Sequence, residues 1–179
     1  GLPDGRRVAK DCPRMELSGT LDELNSLLGM ARAYLPKQGD DAIDGVLGRV
    51  QSELFRLGAE VAGVKADRAA NGFLADDDVA RLEQDIDRFE AGLPRLTSFV
   101  LPGGSPAAGA LHLARAVCRR AERRLIGLLR VEPDAVRPIV LAYLNRLSDS
   151  LFVLSRAANA QAGVGETDWR SRKERNREN

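Results

Sequence analysis

The residues most suggestive of chemistry form an arginine run inside an apolar helical pattern, within residues 99–124. Arg115, Arg119 and Glu122 follow helical steps of four and three and line one flank of an apolar face. A guanidinium presents five N–H donors that match carboxylate or phosphate oxygens, so this flank is a candidate anion site. The alternative is a solvated, arginine-rich helix face on which Glu122 makes ordinary ion pairs. Arg120 and Arg124 point more nearly away from the core.

A second polar flank lies on the last helical pattern of the chain. Asn145 and Asp149 share this flank with Phe152 and Arg156. A side-chain amide at a buried edge needs hydrogen-bond partners. It can bind a nucleotide by donating and accepting hydrogen bonds at the same time. The alternative for Asp149 is a surface or interface ion pair. Phe99 lies shortly before a Pro-Gly-Gly turn. One interpretation of this residue is a core aromatic side chain that seals one end of the fold.

The composition of the chain limits which kinds of partner and which kinds of site are expected. The 179 residues include 27 basic and 26 acidic ones, for a net charge of +1, so any anion site must be local. This balance predicts no nucleic-acid or membrane partner. Two cysteines without CxxC spacing and a single histidine favour neither a disulfide framework nor a metal cluster. We find no signal peptide and no apolar run near the ~20 residues of a membrane span, and expect a cytoplasmic protein.

Five amphipathic segments must position these residues. Apolar spacing predicts helices over residues 14–35, 42–64, 76–91, 106–129 and 133–162. The first helix has an alternative start near Thr20, which would then be its N-cap. Ser105 and Pro106 together form a start signal for the fourth helix. Pro138 is a possible reason for a later start of the fifth helix. We therefore predict one all-α domain over residues 1–179, an up-and-down bundle with a four-helix core plus one helix. Residues 1–13 are expected to be irregular and residues 163–179 a mobile tail, with Trp169 as a candidate anchor.

Three motifs, taken together, resemble one known family. They are GTLDELNS at residues 19–26, FVLPGGS and LHLARAVCRRAER within residues 99–123, and YLNRLSDSLF at residues 143–152. In this order they resemble the PduO-type ATP:cob(I)alamin adenosyltransferases, and the resemblance covers residues 1–162. The family's T-G-D-x-G-x-T loop, which wraps the ATP triphosphate, would precede Gly1 and is not in this sequence. The phosphate-cradling part of the site therefore lies outside these motifs.

The resemblance assigns roles to individual residues. The family's cross-subunit pair between an aspartate and the first arginine of the arginine motif corresponds to Asp22 and Arg115. Phe99 matches the phenylalanine that faces the corrin and helps keep the lower axial ligand off cobalt. Arg119 is expected to stabilise the charge that develops on the triphosphate, so that the catalytic set is Arg119, Arg115 and Asp22. The residues implied to contact ATP are Lys10, Arg119, Arg120, Glu122, Arg123 and Asn145.

The implied reaction transfers the 5′-deoxyadenosyl group of ATP to cob(I)alamin, giving adenosylcobalamin and triphosphate. The resemblance also implies Mg²⁺ with the ATP, a homotrimer with sites between subunits, a flavin-type reductase and an adenosylcobalamin-dependent enzyme as partners. No side chain can be assigned as a metal ligand. Two other functions stay open at this point: a module that binds and delivers the cofactor, and a helical assembly protein whose arginines only make interfaces.

Overall fold

The described part of the chain is helical. The computed structural model describes residues 7–36, 41–64 and 72–169. In those ranges the chain forms five α-helices and a single isolated β-bridge. The helices are α1 (Pro13–Tyr34), α2 (Ala42–Val61), α3 (Asp76–Glu90), α4 (Pro106–Val131) and α5 (Pro138–Gln161). The predicted all-α class is confirmed. Within the same ranges, no helix is long and apolar enough to cross a bilayer.

Four helices enclose the core and one packs outside it. α1 contacts α2 and α4, while α5 contacts α4 and α2, so these four close a ring. α3 contacts α5 from outside that ring. The apolar face predicted for α4 is fully buried, namely Leu111, Ala114, Cys118, Ala121, Leu125 and Leu128. The arrangement agrees with a four-helix core plus one helix, and it leaves the arginine flank of α4 at the edge of the bundle.

Helix starts follow local chemistry. Ser105 caps α4, since its Oγ accepts a hydrogen bond from the Ala108 N–H at 3.2 Å, and Pro106 takes the first helical position as predicted. The alternative start of α1 at Thr20 is wrong. The helix begins at Pro13, and the Thr20 hydroxyl donates to the Glu16 carbonyl at 2.7 Å inside it. A continuous α1 places Asp22 about two and a half turns inside the helix.

Two predicted boundaries shift. The fifth helix begins at Pro138, which confirms the possible delay, because proline has no N–H to donate and fits only a first turn. The second helix ends at Val61, earlier than predicted. There Gly63 takes a φ of 79°, and the N–H of Val64 donates back to the Ala59 carbonyl at 3.0 Å. Both shifts lie away from the arginine flank.

A buried polar network ties α2, α3 and α5 together. Glu53, 1% exposed, accepts hydrogen bonds from the Tyr143 hydroxyl at 2.6 Å and from Arg49 at 2.8 Å. Arg49 also pairs with Asp85 of α3. Burial and the Glu53 charge raise the pKa of Tyr143, which keeps its hydroxyl protonated as a donor. This side of the bundle is held by paired charges, in contrast to the α4 flank.

Candidate active site

A pocket of about 790 Å³ opens where α4 and α5 meet the segment between α3 and α4. Helix α4 contributes cations to it, α5 contributes an acid and an aromatic ring, and two non-helical segments contribute apolar side chains. The lining residues are Leu96, Thr97, Ser98, Phe99, Val100, Arg115, Arg119, Ser148, Asp149, Phe152 and Trp169. Three of the residues singled out from the sequence, Phe99, Arg115 and Arg119, therefore share one cavity.

The two pocket arginines lie one helical turn apart on α4 and differ in their surroundings. The Arg115 guanidinium lies 5.9 Å from the centroid of the Phe152 ring, and its buried Nε has no hydrogen-bond partner among the described residues. Arg119 is exposed and makes no hydrogen bond or ion pair with any described residue. The pocket thus holds two cationic groups with unused donors, which suits an anionic ligand.

Phe99 is not a core residue. Its side chain is 81% exposed and lines the pocket. The core alternative for this residue is therefore wrong. An aromatic ring held in solvent at the mouth of a cavity is a large apolar surface that a ligand can cover.

The structure also joins two residues that the resemblance assigned to ATP. The Asn145 amide on α5 donates to a Glu122 carboxylate oxygen on α4 at 3.1 Å. Arg123, the next residue on α4, is exposed and makes no hydrogen bond or ion pair with a described residue. Glu122 lies three residues beyond Arg119, so this polar pair continues the arginine flank along α4 beyond the pocket lining.

The remaining assigned residues lie elsewhere on the chain. Arg120 forms an ion pair with Glu23 of α1, on the side of α4 that its spacing predicted. Lys10 is exposed just before α1. Asp22 is exposed on α1 and lines a separate groove of about 550 Å³ between α1 and α2. Within one chain, Asp22 makes no ion pair with Arg115.

The turn that leads from Phe99 into α4 is fixed by one buried asparagine. Asn159 of α5 is 2% exposed; its Oδ1 accepts from the Ser105 N–H at 2.8 Å, and its Nδ2 donates to the Gly103 carbonyl at 3.1 Å. Gly104 has a φ of 105°, and a Cβ at this position would collide with the Asn159 amide. The turn therefore requires glycine here, and it sets the direction in which the Phe99 segment leaves the bundle.

A buried arginine joins the segment before that turn to the segment after α5. Arg156 of α5 is 2% exposed and donates through Nε to Glu166 at 2.9 Å and through Nη2 to the Pro94 carbonyl at 2.8 Å. It thereby joins the segment after α3 to the segment after α5. A buried arginine paired in this way is costly to remove, since its carboxylate partner would lose its charge partner.

The only histidine in the sequence lies beneath the pocket. His112 is 4% exposed, its ring centroid lies 6.3 Å from that of Phe152, and its Nδ1 lies 3.5 Å from the Ser155 hydroxyl. Burial, together with the nearby Arg115 charge, lowers the pKa of His112 below its ordinary value. Its Nε2 has no hydrogen-bond partner among the described residues. The ring is a neutral support for the Phe152 wall.

Sequence reasoning missed the segment after α5. Residues 163–169 turn back along the Phe99 segment: the Trp169 N–H donates to the Phe99 carbonyl at 2.7 Å, and the Leu101 N–H donates to the Thr167 carbonyl at 2.8 Å. The composition of this stretch suggested a mobile tail with Trp169 as a candidate anchor, and residues 170–179 of that tail lie outside the described part of the chain. No local pattern signals such a pairing, because its two partners lie about seventy residues apart and meet only once α5 has docked.

Comparison with known proteins gives a consistent result. The family model described as cobalamin adenosyltransferase matches residues 1–158. The corrinoid adenosyltransferase of Bacillus subtilis is 42% identical over 166 residues, which cover 92% of this chain and 84% of that protein. The enzyme of the same description from Mycobacterium tuberculosis is 42% identical over 172 residues, covering 95% and 86%.

Solved structures agree in fold as well as in sequence. A variant of a PduO-type ATP:corrinoid adenosyltransferase from Lactobacillus reuteri, complexed with cobalamin and ATP, superposes with a TM-score of 0.86. It is 31% identical, over 95% of this chain and 93% of that one. A model match over most of the chain, relatives above 40% identity and a shared fold lead to one conclusion: this chain belongs to the cobalamin adenosyltransferase family.

Proposed function

We propose that this protein transfers the 5′-deoxyadenosyl group of ATP to cob(I)alamin, giving adenosylcobalamin and triphosphate. Family membership supports the reaction, and the related Lactobacillus reuteri structure is complexed with both substrates. The observation that carries the proposal within this chain is the pocket itself. There, Arg115 and Arg119 bring donors unused by described residues to a cavity whose other side chains are mostly aromatic, apolar or hydroxyl-bearing, with one carboxylate, Asp149.

For this reaction, the protein has to position the two substrates and stabilise the charge of the leaving group. The electron pair of Co(I) forms a bond to the ribose C5′ carbon while the C5′–O bond to the triphosphate breaks. The triphosphate leaves with the electrons of that bond, and cobalt becomes formally Co(III). Because Co(I) is itself a strong nucleophile, the protein need supply neither a nucleophile nor a general base. Its work is to align cobalt with C5′, to stabilise the leaving group and to exclude axial ligands.

Named residues can be assigned to these tasks. Arg119 stabilises the charge that grows on the triphosphate, because it is exposed at the pocket and has no competing partner among the described residues. Phe99 covers the corrin and excludes a lower axial ligand. The Glu122 and Asn145 pair holds the nucleotide together with Arg123 and the lysine before α1, Lys10.

Arg120 needs an exchange of partners before it can contact ATP. It pairs with Glu23 in the single chain, and both side chains of this pair are substantially exposed, 41% and 52%. An exposed ion pair contributes little to stability, on the order of 1 kcal/mol or less, so a triphosphate can replace the glutamate. Arg120 is therefore proposed as a nucleotide contact only after this exchange.

The site is proposed to be completed by a neighbouring subunit of a homotrimer. The residues meant to pair, Asp22 and Arg115, lie on different faces of one chain, in the α1/α2 groove and in the main pocket. An Asp22 supplied by the next subunit satisfies both the unpaired carboxylate and the unused donors of Arg115. The pair would then link the geometry of the pocket to assembly.

The proposal also includes Mg²⁺, a compartment and partners. The described residues contain no group of three or more His, Cys, Asp or Glu side chains that could hold a metal ion. We expect Mg²⁺ to enter as part of the substrate, on the triphosphate oxygens of ATP. Both cysteines, Cys12 and Cys118, are free thiols, which suits a reducing cytoplasm. A flavin-type reductase would supply the electron for Co(I), and an adenosylcobalamin-dependent enzyme would take the product.

The test is an anaerobic spectroscopic assay. The protein is mixed with chemically reduced cob(I)alamin and Mg-ATP, and the visible spectrum is followed. We expect conversion to a light-sensitive alkylcobalamin spectrum with one triphosphate released for each cobalamin converted. Reactions without protein, and with ADP in place of ATP, serve as controls.

The outcomes separate the alternatives. Tight ATP and cobalamin binding without conversion would contradict the transfer reaction and favour a delivery module. Absence of binding to either substrate would leave a helical assembly protein whose arginines serve only interfaces.

A further inference from the structure

The segment after α5 brings an unassigned aromatic side chain to the pocket. Trp169 is 52% exposed and lines the cavity together with Phe99, Arg115 and Arg119. We propose that Trp169 is a second corrin-contacting residue, which forms the aromatic wall of the cobalamin site together with Phe99. This inference rests on the proposed function, and it names a binding residue that the sequence motifs do not contain.

Backbone register places the two aromatic residues opposite each other. Val100 and Asp168 form an antiparallel bridge, flanked by the Trp169 to Phe99 and Leu101 to Thr167 hydrogen bonds. Phe99 precedes Val100 and Trp169 follows Asp168, so these two residues are direct neighbours across the pair. Side chains directly opposite in an antiparallel pair project from the same face. The backbone therefore presents both rings to the same cavity.

The pocket has large exposed apolar side chains on one wall and two arginines on the other. Its non-helical wall carries Leu96, Phe99 and Trp169, which are large apolar side chains exposed by 40%, 81% and 52%. Its helical wall carries Arg115 and Arg119 beside the acid and the aromatic ring of α5. Large apolar surface left in water at a cavity favours a ligand that covers it. A broad macrocycle against the first wall and a phosphate chain against the second wall fit this division.

The Trp169 segment is held in place by contacts with the rest of the chain. Glu166 receives hydrogen bonds from the buried Arg156, through Nε at 2.9 Å and through Nη2 at 3.1 Å. The Ser98 hydroxyl donates to Asp168 Oδ1 at 2.6 Å. With these contacts and the backbone pairing, the chain itself fixes the position of this wall. Ordering it then costs little of the binding free energy, which favours a binding role over a passive one.

The experiment compares Trp169→Ala, Trp169→Phe and the wild type in the anaerobic assay, with separate KM values for cob(I)alamin and for ATP. We expect Trp169→Ala to raise the cobalamin KM about tenfold or more, the size of one lost aromatic contact, with the ATP KM unchanged. Trp169→Phe retains a flat apolar ring and should recover most of the loss. Tyr34→Ala, which removes an exposed aromatic at the end of α1 outside the pocket, is the matched control.

Each outcome bears on the inference. An unchanged cobalamin KM in Trp169→Ala would overturn it while leaving the transfer reaction intact. Equal rises in both KM values, with no recovery in Trp169→Phe, would also overturn it, since they indicate a structural role. A wild type that neither binds nor converts cobalamin would overturn the proposed function and, with it, this assignment.

Discussion

At the scale of single residues, the arginines of α4 differ in whether they already have a carboxylate partner within the chain. Arg120 and Arg124 face glutamates of α1, and Arg124 lies 3.3 Å from Glu16. Arg119 has no such partner among the described residues and opens onto the pocket. A cation without a protein partner keeps its full donor capacity for a substrate. This difference explains why adjacent arginines of one motif are expected to contribute unequally to the rate.

We predict that Arg119→Ala lowers kcat by about 10²–10³, the usual cost of losing one charge-stabilising donor. Because Arg119 is exposed, the thermal midpoint should change little. Arg130→Ala removes another exposed arginine from the last turn of α4, outside the pocket, and serves as control. An Arg119→Ala protein that is folded and turns over at the wild-type rate would contradict the assigned role.

The buried histidine predicts a pH dependence of stability. Burial and the Arg115 charge hold the pKa of His112 below its unfolded value. As the pH falls, the unfolded chain therefore takes up this proton first. The free energy of unfolding should decrease as the pH drops below about 6.5 and approaches the lower folded pKa.

The test measures thermal midpoints between about pH 7.5 and about pH 5, a window around the ordinary histidine pKa. The wild type should lose stability towards the acid end, and His112→Asn should lose less over the same interval. Comparing slopes removes any constant destabilisation by the substitution itself. Parallel slopes for the two proteins would show that His112 does not titrate as its burial implies.

At the scale of elements, the end of α5 organises the pocket. Asn159 fixes the turn before α4, and Arg156 joins the segments after α3 and after α5. Both side chains belong to the last two turns of α5. The exposed walls of the pocket are thus attached to the bundle mainly by two buried polar side chains on one helix.

Substituting two glycines tests this attachment. Gly104→Ala should destabilise the protein by about 1–3 kcal/mol, because alanine disfavours the observed φ and its Cβ would displace the Asn159 amide. Gly109→Ala, in the first turn of α4 with open space around its Cβ, should be neutral or stabilise by up to about 1 kcal/mol. Urea denaturation measures both. Equal stability of the two variants would mean that the turn has no such constraint.

Elements with a repeating apolar face were predictable, and contacts between distant segments were not. The buried face of α4 follows from its spacing alone, since any register other than the observed one would expose leucines. The start of α5 depended on which of two prolines the chain uses, and local signals allowed both. The bridge of Val100 with Asp168 depends on tertiary docking, so the sequence contained no periodic signal for it. The arginine flank was predictable from helical spacing as a candidate anion site, whereas the individual roles of its residues came only from the family resemblance.

At the scale of the whole molecule, one chain holds the two halves of a proposed site on separate faces. Arg115 and Arg119 line the main pocket, and Asp22 lines the groove between α1 and α2. If each site forms between neighbouring subunits, its halves come from different chains. Two variants with defects in different halves then complement each other.

We predict that Asp22→Ala and Arg119→Ala are each poorly active alone and regain activity when mixed. In an equimolar, randomly assembled trimer, about one quarter of the sites would combine two intact halves. Mixing Arg115→Ala with Arg119→Ala should give no recovery, because both defects lie in the same half. Activity measured after co-refolding tests this. No recovery in the first mixture, with trimers formed, would contradict the shared site.

The way in which the pocket wall is attached has a consequence for how this protein can evolve. The Phe99 and Trp169 segments join each other through main-chain hydrogen bonds, which any pair of residues can make. Their side chains can therefore be exchanged without disturbing the leucine core or the α2–α3–α5 network. If both residues contact the corrin as proposed, selectivity for differently substituted corrinoids can diverge by point substitution at these two positions. The same separation makes them natural targets for directed evolution towards unnatural macrocycles.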